Sequence, residues 1–143
     1  ITQKGFYMNS YYNQNYSRED IANMVKLIQE CIKCESYTVS RNANRQENID
    51  FIYEYNLRSD KIKAILMNLT IDDFCHTVQN KKEGYEQEVL YVFVPQVGLF
   101  DANGESIIVD IYIKINMIIT RKGNRAVVIS FHRRNKPIVY AFK

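Results

Sequence analysis

From Val109 to Ile119 every odd position is apolar (Val109, Ile111, Ile113, Ile115, Met117 and Ile119), while Asp110, Tyr112, Lys114 and Asn116 stand between them. A period of two sustained over that length excludes a helix and specifies a long strand with one buried face. Such a strand needs partners, and the sequence supplies them. "QEVLYVFV" runs up to Pro95 and "RAVVISFH" follows the long strand, both rich in β-branched and aromatic residues. Asn103-Gly104 marks one hairpin turn and the Lys122-Gly123-Asn124 run the next, so an antiparallel meander is the simplest connection.

The first half has the other periodicity. Ser17 and Asp20 form a capping-box signature ahead of Ile21, Met24, Val25, Ile28, Cys31 and Ile32 at helical spacing. Residues 42 to 55 carry Ile49, Ile52 and Tyr53 on one stripe, and Ser59 can cap a short helix with Ile62, Ile65, Leu66 and Leu69 inward. Thr70 and Asp73 offer a further cap before Ile71, Phe74, Cys75 and Val78, again an i, i+3, i+4, i+7 face. On such a helix His76 lies about 140° from the apolar centre, at roughly 100° per residue, and would not belong to the core. Helices followed by strands predict an α+β fold, with N-terminal helices packed on one face of a curved antiparallel sheet.

The 143 residues suit one domain able to bury a core unaided, expected over residues 17–143 behind a polar, tyrosine-rich extension of residues 1–16. No apolar run approaches the roughly 18 residues of a membrane helix. The N-terminal stretch lacks the charged-then-apolar order of a signal peptide, so a cytoplasmic site of action is expected. Three cysteines make a disulfide framework improbable. Cys31-x-x-Cys34 falls inside a helical pattern with no second pair for zinc, and nothing in the sequence suits a hard metal, so no cofactor is implied. The net charge of +3 is unevenly placed: no Asp or Glu follows Asp110, whereas Arg121, Lys122, Arg125, Arg133, Arg134, Lys136 and Lys143 do. A polyanion, nucleic acid first, fits that field, although a solvated hairpin end would read the same way.

The two histidines, His76 and His132, matter because imidazole both takes and gives a proton near neutrality. If Val127, Ile129 and Phe131 form the apolar set of the last strand, the turn before it must hold an odd number of residues for both apolar sets to face one way. A three-residue turn at 122–124 then sets Lys114 opposite His132, with Tyr112 a diagonal neighbour on the same polar face. Cleavage of RNA by its own 2′-hydroxyl needs a base, a cation for the phosphorane and an acid for the 5′ oxygen, and these side chains can supply them. A polar sheet face turned to solvent would carry similar residues.

The runs "KAILMNLTIDDFCHTV", "QEVLYVFVP", "VDIYIKINMII" and "AVVISFHRR" resemble, in order and spacing, the MqsR family of toxin ribonucleases from toxin–antitoxin systems. The likeness extends through "VKLIQECI" and "FIYEYNL" over most of the chain after Ser17. It implies a small RelE-like mRNA interferase held inactive by an antitoxin. Carried over by position, a family lysine falls at His76, the strand glutamine at Gln87, the tyrosine at Tyr112 and a second lysine at His132. Both lysines are thus replaced by this chain's only histidines, which favours ordinary acid/base chemistry. The expectation is a metal-independent endoribonuclease giving a 2′,3′-cyclic phosphate. His76 and His132 would transfer protons, Tyr112 orient or protonate, Lys114 with Arg133 or Arg134 hold phosphate, and Gln87 hydrogen-bond the RNA. Two other readings stay open: a ribonuclease tip of a larger secreted toxin paired with an immunity protein, and a non-catalytic RNA- or protein-binding module. The eleven tyrosines suit the last of these.

Overall fold

The computed structural model describes residues 12–143. The chain runs β1 (Tyr12–Asn13), α1 (Arg18–Lys33), β2 (Tyr37–Val39), a 3₁₀ turn (Ala43–Arg45), α2 (Gln46–Glu54), α3 (Ser59–Met67), a second 3₁₀ turn (Ile71–Asp73), β3 (Phe74–Gln79), β4 (Val89–Phe93), β5 (Gln96–Phe100), β6 (Ser106–Thr120) and β7 (Gly123–Arg133). The strands form one sheet in the order β1-β3-β4-β6-β7-β2, with β5 paired to the first part of β6. The fold is α+β, and every pairing is antiparallel except that of β2, which lies parallel to β7 at the edge. The sheet is therefore mixed rather than a pure meander.

The capping box closes α1 as expected: Asp20 N donates to Ser17 Oγ and Ser17 N to Asp20 Oδ2, each at 3.0 Å. This helix buries Ile21, Val25, Ile28, Cys31 and Ile32 against α3 and the odd face of β6, where Val109, Ile111, Ile113 and Ile115 are fully covered. Cys31, Cys34 and Cys75 are free thiols. In α2 the fully buried residues are Asn48 and Phe51; of the expected stripe, Ile52 packs partly buried against the core, Ile49 is half-buried and Tyr53 is 87% exposed.

The Thr70–Asp73 capping box also forms, but it starts a single 3₁₀ turn, and Phe74–Gln79 is strand β3 instead of helix. The physical reason is burial on both sides. Phe74 packs into the helix-side core, whereas Cys75 and Val78 belong to a second cluster on the opposite face with Leu90, Val92 and Val94. A strand covered on both faces loses its alternation, and a short apolar run of that kind cannot be told from a helix by period alone.

The cover on that second face is the segment after β7. Ile138 and Tyr140 pack on the cluster together with Tyr12, and Tyr140 Oη donates to Val94 O at 2.6 Å. Ala141 N donates to Phe74 O, and Gln14 Nε2 bridges the Cys75 and Val139 carbonyls at 2.8 and 2.9 Å. Tyr16 also packs against the main core. Residues 12–16, expected in a polar extension, are thus part of the domain; the remainder of that extension lies outside the described residues. No helix of the described residues is long and apolar enough to cross a membrane.

Candidate functional site

The β6–β7 pairing reaches the expected face by a different route. Thr120 pairs with Gly123, so the turn holds two residues rather than three, and the register then shifts between Lys114 and Ile115. Ile115 opposes Val128 while Lys114 opposes Ser130, which leaves Ile129 as one extra residue in β7. Before this bulge Ala126 and Val128 face the core; after it, Phe131 does. The expected core set of Val127, Ile129 and Phe131 is corrected accordingly. The two-residue turn and the extra residue together restore the odd count. His132 comes to lie opposite Tyr112 rather than Lys114, and all three side chains share one face with Ser130.

A buried asparagine holds the bulge. At the edge of β7 that faces β2, Val128 O takes the Ser40 amide at 2.9 Å, the last bond from the β2 segment. The extra residue turns the next carbonyl, Ile129 O, to the same edge, and Asn48 Nδ2 donates to it at 2.9 Å. Asn48 also donates to Ser40 O at 2.9 Å and accepts from Phe131 N at 2.8 Å. Its carboxamide continues the ladder that the bulge interrupts, which answers the requirement that buried backbone groups be paired.

On this face lies a cleft of about 370 Å³. Its floor carries His76, Lys114 and Ser130 from one cross-strand row, with Val92 between the first two in register, and Tyr112 and His132 from the next. Tyr12 closes one end, Arg45 and Glu47 from the start of α2 close the other, and Asn135 to Val139 form the remaining wall.

His132 is held from three directions. Its ring stacks on Tyr112 with centroids 5.5 Å apart and planes at 22°. Nδ1 lies 2.9 Å from Arg133 O; a carbonyl only accepts, so Nδ1 carries the proton and Nε2 is left for a ligand. Glu47 Oε1 stands 3.8 Å from Nε2, an ion pair when the ring is protonated, and Asn135 fixes the other carboxylate oxygen at 2.8 Å.

Lys114 is half-buried, and its pKa is lowered by burial and then by the positive charges of Arg45 and Lys136. Among the described residues none of these three cations has an ion pair or a side-chain hydrogen bond. Mutual repulsion among cations that no ion pair neutralises favours an anion in the space between them.

His76 departs most from expectation. It is on a strand, not on the outer face of a helix, and it is 8% exposed, with its ring 4.9 Å from that of Tyr12. Among the described residues its buried Nδ1 has no hydrogen-bond partner, and burial pulls the pKa down to about 4. The ring is neutral at pH 7, and Nε2 is the nitrogen left to meet a ligand.

Three other expected residues are not brought to the cleft. Gln87 is exposed in the turn before β4. Arg133 falls on the helix side, opposite Ile111, where it bonds Tyr55 Oη and pairs with Glu54 at 3.4 Å. Arg134 is tied to Asp110 at 3.1 Å and to Lys136 O at 2.9 Å. Arg45, Glu47 and Asn48 had no signal in the sequence, because α2 and the turn before it reach the sheet only through tertiary packing; Ser130 follows from the alternation that carries His132. Among the described residues no group of three or more His, Cys, Asp or Glu side chains is placed to hold a metal ion. Comparison with models of known families, with curated proteins and with solved structures finds no match for this chain.

Proposed function

We propose that this chain is a toxin endoribonuclease that cleaves RNA without a metal ion. The observation that carries this reading is the convergence of Arg45, Lys114 and Lys136, none of them in an ion pair among the described residues, on a cleft in which His132 is fixed in one tautomer against Tyr112. A base of fixed orientation beside three unpaired cations is what a 2′-hydroxyl attack on a phosphodiester requires.

In the step proposed, His132 Nε2 takes the 2′ proton as the 2′ oxygen bonds to phosphorus. Lys114, Lys136 and Arg45 balance the phosphorane charge. The 5′ oxygen then leaves with a proton from Lys114, whose lowered pKa makes it a readier donor than an exposed lysine. The product is a 2′,3′-cyclic phosphate. Tyr112 sets the plane of the imidazole. His76 has a smaller part: three strand spacings separate its backbone from that of His132, about 14 Å across the sheet, so it serves the neighbouring nucleotide as a neutral hydrogen-bonding group. The resemblance to the MqsR family supports the same reading and adds a cytoplasmic site of action on mRNA and a cognate antitoxin; an immunity protein takes that place if the domain is the tip of a larger toxin.

The test is incubation of the purified chain with single-stranded RNA, with and without EDTA, followed by analysis of the 3′ ends. The expected result is chelator-resistant cleavage to cyclic phosphate and no cleavage of a strand with deoxyribose at the scissile nucleotide. Binding without cleavage would leave an RNA-binding module as the better reading.

A further inference from the structure

The even face of β6 does not end at the cleft. Beyond Lys114 it continues through Asn116 and Ile118 to Thr120, and across the ladder Val127 pairs with Asn116 and Arg125 with Ile118. Arg125 therefore stands on the cleft side of the sheet, about 13 Å along the strand from Lys114 at roughly 3.3 Å per residue. The two-residue turn sets Arg121 and Lys122 just past it.

All three of these cations are exposed, and among the described residues none has an ion pair or a side-chain hydrogen bond. No acid follows Asp110 in the sequence to offset them. Glu86 and Glu88, in the loop before β4, are tied back to Gly84 N and Asn80 Nδ2. Ile118, 39% exposed, and the half-buried Val127 give the strip an apolar bed between its charged ends.

Resting on the ribonuclease reading, we infer that the β6–β7 hairpin is a binding track for single-stranded RNA, along which Arg125, Lys122 and Arg121 hold backbone phosphates several nucleotides from the scissile bond. A cationic groove with apolar surface between its charges fits a single strand, because phosphates take the charges while unstacked bases lie on the apolar residues. The track makes affinity depend on RNA length.

The test compares an RNA of about 15 nucleotides with a trinucleotide, using wild type, the triple variant Arg121→Glu, Lys122→Glu, Arg125→Glu, and a control of equal charge change on the helix layer, Lys26→Glu, Arg58→Glu, Lys61→Glu. The expected result is a loss of tenfold or more in affinity for the long RNA by the hairpin variant, with a salt dependence shallower by roughly two units because three phosphates are no longer neutralised. Trinucleotide cleavage should change less than about twofold, and the control should bind the long RNA within about threefold of wild type. If wild type cleaves RNA while the hairpin variant keeps full affinity for the long strand, or loses no more than the control does, the track is overturned and the ribonuclease reading stands. A wild type that binds RNA with the expected length dependence but never cleaves it supports the track and overturns the nuclease. A wild type that binds no RNA overturns both.

Discussion

The side-chain oxygen of Asn48 accepts the backbone amide of Phe131 at 2.8 Å, in a position where Asn48 is 1% exposed. Without the extra residue that this contact secures, β7 would present Phe131 opposite Tyr112 and turn His132 toward the helices. Asn48 is therefore a positioning residue for the site, reached through the backbone. Asn48→Ala should cost about 2–4 kcal/mol, since it strands buried backbone groups at Ser40, Ile129 and Phe131. Asn48→Asp should cost at least as much, because a carboxylate cannot donate to the two carbonyls. Urea unfolding checks this, and an Asn48→Ala midpoint equal to wild type would show that the bulge holds itself.

Replacing His132 separates chemistry from binding. His132→Ala should lower the cleavage rate by about 10²–10⁴-fold while RNA affinity, carried by lysine and arginine, changes little. Glu47→Gln should leave affinity near wild type, or slightly improve it by removing a negative charge from the cleft. Rates for His132→Ala equal to wild type would remove His132 from the mechanism.

Basic residues that look equivalent in the sequence should behave differently. Arg45→Ala and Lys136→Ala remove unpaired charge from the cleft and should weaken RNA binding most at low salt. Arg133→Ala should instead act on stability, by about 1 kcal/mol or less, since its partners Glu54 and Tyr55 are on the helix side. Filter binding over a salt series, beside thermal melts of each variant, distinguishes the two classes.

The His76 imidazole gives the fold a dependence on pH. Its folded pKa of about 4 lies below the roughly 6.5 of an unfolded chain, so the unfolded state binds the extra proton between those values. Stability is therefore full above about pH 6.5 and falls as pH drops toward 4, by on the order of 3 kcal/mol from this group. His76→Gln cannot titrate, and its stability should fall less than that of wild type over the same window. Parallel urea titrations at about pH 7 and pH 4.5 measure the difference, and equal slopes would show that His76 is as easily protonated in the fold as outside it.

The sequence by itself determined the elements whose side chains keep a single period. The alternation of β6 and the capping box and stripe of α1 are local properties, and each survives in the fold because one face meets core and the other does not. They were enough to place Tyr112 and Lys114 together. Tertiary structure decided what local pattern leaves degenerate. Phe74–Gln79 became a strand because the C-terminal segment covers its second face, some sixty residues further along the chain. The expected three-residue turn and the observed two-residue turn with a bulge have the same parity, so His132 reached the anticipated face although its partner changed from Lys114 to Tyr112. Parity is written in the hydrophobic pattern. The bulge that satisfies it depends on Asn48, whose three hydrogen bonds reach residues eight to eighty-three positions away, and Arg45 and Glu47 enter the cleft only because the same helix docks there. Contacts of that range leave no trace in the order of neighbouring residues.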